Sequence, residues 1–276
     1  MGERTAFEER RLPSLTDPDI TIVSDLFSQY RELMPSVPYW PRVIAVTGAL
    51  GSGKTEWVLN LALGFASLRE KVTIADIDII NPYFCIRQVA EKLEKKGFRI
   101  ITTPENAKWS DMSVVSPKVS RALAEDDGRL LLDIGGDAEG ALALKQFEPD
   151  ITKAGYLLIL VVNSFRPQTS TVAGIEKMLK KMESICGLSV GALVSNSHLM
   201  AETEAEDCVN GLENVLDAGR KLDLPVLFAG VDPRLYGEAE SIMESRGISV
   251  PLWPVARYMM LPWEDGAMWS RGETGD

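Results

Sequence analysis

Residues 48–55, Gly48-Ala49-Leu50-Gly51-Ser52-Gly53-Lys54-Thr55, match the pattern G-x-x-x-x-G-K-[ST] at every fixed position. No other stretch restricts the fold as much, because the pattern needs a strand before it and a helix after it. Glycines let the backbone curl so that successive N–H groups point inward at phosphate oxygens. Lys54 supplies a point charge for the β- and γ-phosphates, and the Thr55 hydroxyl can ligate Mg²⁺. The helix that follows turns its positive end toward the same anion. The flanks comply: Val43-Ile44-Ala45-Val46-Thr47 is an apolar run suited to a buried parallel strand, and residues 56–68 are apolar nearly all round.

From Arg42 onward apolar strands alternate with helices. Strands are expected at 43–47, 72–75, 98–101, 130–132, 156–162, 190–194 and 226–228, with helices at 84–96, 116–126, 168–186, 202–221 and 238–245. This predicts an α/β fold: a three-layer, doubly wound, mainly parallel sheet of about seven or eight strands with helices on both faces. Ligands then sit beyond the carboxyl ends of the strands. Residues 1–40, punctuated by Pro13, Pro18, Pro35 and Pro38, read as an N-terminal extension with a short helix near 25–33. Residues 41–251 read as the nucleotide-binding domain. Residues 252–276 read as a tail whose Trp253, Trp263 and Trp269 pack it onto the domain.

Composition excludes several classes. Lys+Arg 29 against Asp+Glu 40 gives a net charge of −11, which argues against broad attachment to nucleic acid or anionic lipid. Cys85, Cys186 and Cys208 form no C-x-x-C pair, so no zinc site or disulfide framework follows, and a cytoplasmic location is expected. His198 is the only histidine, which excludes a multi-histidine metal site. No run of about 18 apolar residues is present, so no integral membrane association is expected.

Two acidic strand ends complete the pattern. Asp76 and Asp78 fall on one side of an extended chain, where they can hold the water shell of Mg²⁺ and orient an attacking water. Leu132-Asp133-Ile134-Gly135-Gly136-Asp137 places an acid at the end of an apolar strand, the Walker B arrangement for a metal partner. The glycines permit close approach, so the Gly136 N–H can report on the γ-phosphate, and Asp137 suits a helix cap.

Together these motifs resemble the MinD/ParA/nitrogenase-iron-protein (SIMIBI) class of P-loop ATPases, which includes CobB/CobQ-type enzymes, over roughly residues 42–250. The resemblance implies ATP and Mg²⁺ as cofactors. Lys54 and Asp78 become the catalytic pair, Asp78 positioning the hydrolytic water, and Thr55, Asp76 and Asp133 serve the metal. Gly48, Ala49, Gly51, Ser52, Gly53, Lys54, Thr55, Glu56 and Gly136 would line the nucleotide. Asn196 would pair with adenine, and the loop Val231-Asp232-Pro233 would close over it. Asn196 is followed by Ser197 and Leu199 rather than the Lys and Asp of a guanine reader, which favours ATP.

The family's signature lysine is absent, its place taken by Ala49. Arg87 or Arg166 could stand in, although each also reads as a solvated surface arginine. The implied function is an ATP-hydrolysing switch: bound Mg-ATP would change either formation of a nucleotide-dependent homodimer or affinity for an unidentified protein partner, and hydrolysis to ADP would reset it. The alternative is an ATP-dependent ligase or kinase of the CobB/dethiobiotin-synthetase type, with substrate groups drawn from residues 103–115.

Overall fold

The computed structural model describes residues 20–77, 86, 89–102 and 118–259, with side chains from Leu26 onward in the first helix. Asp78, Arg87, residues 103–115, Cys85, Trp263 and Trp269 lie outside the described residues.

Eight strands form one sheet: β1 (Val43–Gly48), β2 (Val72–Asp76), β3 (Arg99–Ile101), β4 (Arg129–Asp133), β5 (Tyr156–Val162), β6 (Val190–Ser195), β7 (Val226–Val231) and β8 (Leu252–Pro254). Their order is β3-β2-β4-β1-β5-β6-β7-β8, and every pairing is parallel. Parallel neighbours need crossovers, and helices supply them. In chain order these are α1 (Ile20–Leu33), α2 (Lys54–Ser67), α3 (Ala90–Lys95), α4 (Lys118–Ala124), α5 (Ala138–Lys145), α6 (Glu148–Ala154), α7 (Val172–Cys186), α8 (Ala205–Leu222) and α9 (Tyr236–Ser245).

The two faces of the sheet separate by the strand period of two. Val43 and Ala45 of β1 join a core built with α4 to α7, whereas Ile44 and Val46 join a core built with α1, α2 and α3. Burial of a side chain such as Ile44, Leu61 or Phe65 contributes about 1.5–3 kcal/mol each. Helix α2 is buried on nearly all sides because the sheet covers one flank while α1 and the chain around β8 cover another. Trp253 of β8 is fully buried, stacked on Tyr30 with ring centroids 4.8 Å apart and edge-on to Phe228 at 4.9 Å.

Several boundaries differ from the sequence expectation for local reasons. Helix α7 begins at Val172 rather than 168 because Thr171 caps it, its hydroxyl accepting from the Gly174 N–H, and Gly187 ends it at φ 78°. The two helices between β4 and β5 were not foreseen. At 8 and 7 residues, α5 and α6 are too short to display a 3.6-residue period. Asp137 caps α5, accepting from the Gly140 N–H at 2.7 Å. The three-residue β8 adds an edge strand beyond the expected end of the domain.

Candidate functional site

The loop 48–53 connects central strand β1 to α2. Gly53 occupies the N-cap at φ 86°, a left-handed conformation that side chains resist. The turn closes through Ser52 N–H to Ala49 O at 2.9 Å, and the first helical bond follows from Trp57 N–H to Gly53 O at 3.0 Å. Lys54 and Thr55 open the helix and are buried, Lys54 to 5% exposure.

On the flank toward β4 and β2 the site is acidic. The Thr55 hydroxyl donates to Asp133 Oδ2 at 2.8 Å. Asp76 is the register partner of Asp133 on the adjacent strand, and both are buried. Gly136 lies directly on the loop, where an added Cβ would come within 2.0 Å of the Gly48 carbonyl oxygen. The donor set fits Mg²⁺: a hydroxyl bonded to one buried carboxylate, with a second buried carboxylate on the adjacent strand, all hard oxygen groups. Thr55, with Asp133 and Asp76 behind it, would hold Mg²⁺ here, and the ion would supply charge neutralisation for a bound triphosphate.

The flank toward β5 and β6 carries amide and cationic groups. Asn196, at the end of β6, donates Nδ2–H to the Ser52 carbonyl at 2.8 Å, so its amide grips the phosphate loop itself. Arg166 donates Nε–H to the Gly51 carbonyl at 2.9 Å. Asn163, at the end of β5 and fully buried, reaches the same carbonyl at 3.4 Å. Sequence reasoning missed Asn163. Its signal was a repeated corner: Asn163-Ser164 and Asn196-Ser197 both close apolar strands. His198 sits beside this flank, and burial together with Arg166 and Arg257 holds its imidazole down to about 4.

Other expected residues fall as follows. Ala49 is buried and belongs to the core on the α4 to α7 face of the sheet, whereas Leu50 is exposed, at 74%. Val231 ends β7, three strands from β1, or roughly 14 Å by the spacing of sheet strands. Asp232 opens the short turn Pro233–Leu235, and its carboxylate takes Arg234 Nε–H and Nη2–H at 2.9 and 2.8 Å. That bidentate pair holds the Asp232 carboxyl below the usual range.

The Glu56 side chain is engaged by the segment that follows β8. Its carboxylate accepts from the backbone N–H groups of Tyr258, at 2.9 Å, and Met259, at 2.7 Å. Burial pushes this carboxyl up to about 7, against the pull of those two amides. One turn further along α2, Asn60 donates to Ala256 O at 2.8 Å and accepts from Ala256 N–H at 3.0 Å. Tyr30 of α1 completes the network, donating to Asn60 Oδ1 at 2.6 Å and contacting Pro254 O at 2.9 Å.

Among solved structures, the chain is similar to the cell division protein FtsY of Thermotoga maritima, with a TM-score of 0.53 at 19% identity over 76% of this chain and 70% of that one. FtsY of Mycoplasma mycoides gives 0.49 at 16% identity, over 76% and 69%. The 54 kDa signal recognition particle protein of Aeropyrum pernix, solved in complex with GDP, gives 0.48 at 14% identity, over 79% and 49%. No protein-family model matches the chain, and no curated protein matches it in sequence. The narrower resemblance to MinD and ParA rests on the motifs alone. The chain has the P-loop NTPase fold, an eight-stranded parallel sheet with helices on both faces and the phosphate loop after its central strand.

Proposed function

We propose that this protein is a Mg²⁺-dependent ATPase of the MinD/ParA type that works as a nucleotide-dependent switch on a protein partner. The observation that carries the reading is the bond from Thr55 to Asp133, made across two neighbouring strands at the first turn of the phosphate-loop helix. A hydroxyl held by a buried carboxylate at that place is poised to share a metal with a triphosphate. Lys54 would bind the β- and γ-phosphates, and Asp76 would assist the metal. Asp78, placed by sequence two residues beyond Asp76, would orient the hydrolytic water.

ATP is preferred to GTP because Asn196 is followed by Ser197-His198-Leu199 rather than a guanine-reading Lys-x-Asp. The Val231-Asp232-Pro233 turn is assigned to the base side. A protein partner is favoured by Leu50, Phe165, Leu199 and Met200, exposed apolar residues on the loops at the carboxyl ends of β1, β5 and β6. A partner covering that rim would meet the nucleotide face directly, and a second copy of this chain is one such partner.

Titration calorimetry with Mg-ATP and Mg-GTP on wild type and Lys54→Ala tests the binding. We expect an affinity loss of about 100-fold in the variant, the loss of charge-assisted phosphate contacts. Equal affinity in the two proteins would refute the assignment. Light scattering with ATP, ADP and the slow-hydrolysing Asp78→Ala protein tests the switch. A mass and partner affinity unchanged across these states would remove it.

A further inference from the structure

A phosphate cradle needs its N–H groups turned inward, so some of its carbonyls must face outward and find donors elsewhere. Here the outward carbonyls of Gly51 and Ser52 take three side chains: Asn163 and Arg166 on Gly51, and Asn196 on Ser52. Asn163 differs from the other two because its amide works in two directions. Besides the Gly51 carbonyl, its Nδ2 donates to His198 O at 3.1 Å, and its Oδ1 accepts from His198 N–H at 3.3 Å and Phe165 N–H at 3.0 Å. One buried amide thus holds both backbone groups of His198 and also reaches the phosphate loop.

The surroundings fix that amide in place. The main-chain carbonyl of Asn163 accepts from Thr169 Oγ1 at 2.7 Å and from Arg166 N–H at 3.0 Å, which anchors the residue that carries the amide. The two Asn-Ser corners are tied together, Ser164 N–H donating to Ser197 Oγ at 3.1 Å. Ser164 Oγ in turn donates to Gly211 O of α8 at 3.2 Å.

We propose that Asn163 is a positioning residue that fixes the phosphate loop relative to the 196–199 loop, so that base recognition and phosphate binding act as one event. This rests on the nucleotide-binding function proposed above and adds to it the source of base selectivity. The two loops come from different strands, and β5 stands between β1 and β6 in the sheet. A side chain at the end of that middle strand can set the distance between a base held by the 196–199 loop and phosphates held by 48–55. Misplacement of about 1 Å between two such groups is enough to lose most of the benefit of binding them together.

The test compares wild type, Asn163→Ala, Asn163→Ser and Arg166→Ala for affinity to Mg-ATP and Mg-GTP, with thermal denaturation alongside. Asn163→Ala is expected to bind Mg-ATP about 10-fold more weakly, the cost of the lost amide bonds. Its ATP:GTP affinity ratio is expected to fall by at least 3-fold toward unity. Asn163→Ser, which retains a small donor and acceptor, should fall between the two and serves as the working variant if the alanine protein does not fold. Arg166→Ala removes an exposed donor from the same carbonyl and breaks none of the hydrogen bonds that hold the 196–199 loop, its only link there being charge repulsion with His198, so it should lower affinity while leaving the ratio unchanged.

A lowered melting temperature with an unaltered ratio in the Asn163 variants would overturn the proposal and leave Asn163 a structural residue. An equal shift in Arg166→Ala, or a wild-type protein that does not discriminate between the two nucleotides, would overturn it as well. Failure of wild type to bind either nucleotide would instead refute the proposed function, so the two failures are separable.

Discussion

The two flanks of the phosphate loop are built from opposite chemistry. Toward β4 and β2 the loop meets buried acids and a hydroxyl: Asp133, Asp76 and Thr55. Toward β5 and β6 it meets amides and a guanidinium, all donating to its carbonyls. Acids next to a polyanion raise its energy unless a cation intervenes, so in the proposed function the first flank is the one that would carry Mg²⁺. Donors on outward carbonyls hold the backbone curled whether or not a ligand is present, so the second is a holding flank. One loop of six residues separates chemistry from preorganisation.

The largest effect should come from the metal flank. Asp133→Asn keeps the shape but weakens the grip on the Thr55 hydroxyl, and Mg²⁺-dependent turnover should fall 10- to 100-fold, as when the hydrogen-bonded partner of a metal ligand is lost. Steady-state hydrolysis at saturating Mg²⁺ measures this, and nucleotide affinity in EDTA should stay the same. Equal losses with and without the metal would erase the distinction between the flanks.

Next comes Gly136→Ala. Its new methyl would come within 2.0 Å of the Gly48 carbonyl oxygen and 3.2 Å of the Ala49 carbonyl carbon, main-chain atoms that can give way only if the loop itself shifts. Overpacking of this kind costs about 2 kcal/mol. Denaturant titration should show the destabilisation, with nucleotide affinity lowered as well. A variant as stable as wild type would mean that the loop yields more easily than its contacts imply.

The holding flank has its own signature in pH. Burial, aided by Arg166 and Arg257, keeps His198 neutral in the folded protein down to about pH 4, whereas an unfolded chain protonates it near 6.5. Stability from this site is therefore complete above about pH 6.5 and is lost as the pH falls from there toward 4. Between pH 7 and 5 the wild type should lose on the order of 1–2 kcal/mol that His198→Gln retains. Parallel stability–pH curves for the two proteins would place the charge sensitivity elsewhere. The smallest effect is expected from Asp137→Ala: removing the α5 cap should cost about 1 kcal/mol in stability and leave nucleotide affinity unchanged. A fall in affinity would draw α5 into the site.

What could be read without coordinates follows from the range of each interaction. The phosphate loop, Asp133 and Gly136 are legible because their meaning lies in linear spacing beside apolar strands. The long runs of β1, β5 and α2 are legible for the same reason, while α5, α6 and β8 are too short to carry a period. Asn163 leaves only the repeated Asn-Ser corner as a linear trace, because no spacing motif ties it to its partner carbonyl 112 positions away. Glu56 is harder still: it follows Thr55 directly, which suggests a place in the nucleotide site, yet its carboxylate is engaged 202 and 203 positions along the chain.

That engagement has a mechanical consequence. Within α2, Lys54 and Thr55, the proposed phosphate ligands, and Glu56 and Asn60, which fasten segment 256–259, lie within two turns of one helix. Tyr30 ties α1 to the same helix through Asn60. A load hung on either α1 or the strand-eight extension would reach the phosphate loop through α2, so those two attachments are where a partner of the proposed switch would act on its nucleotide.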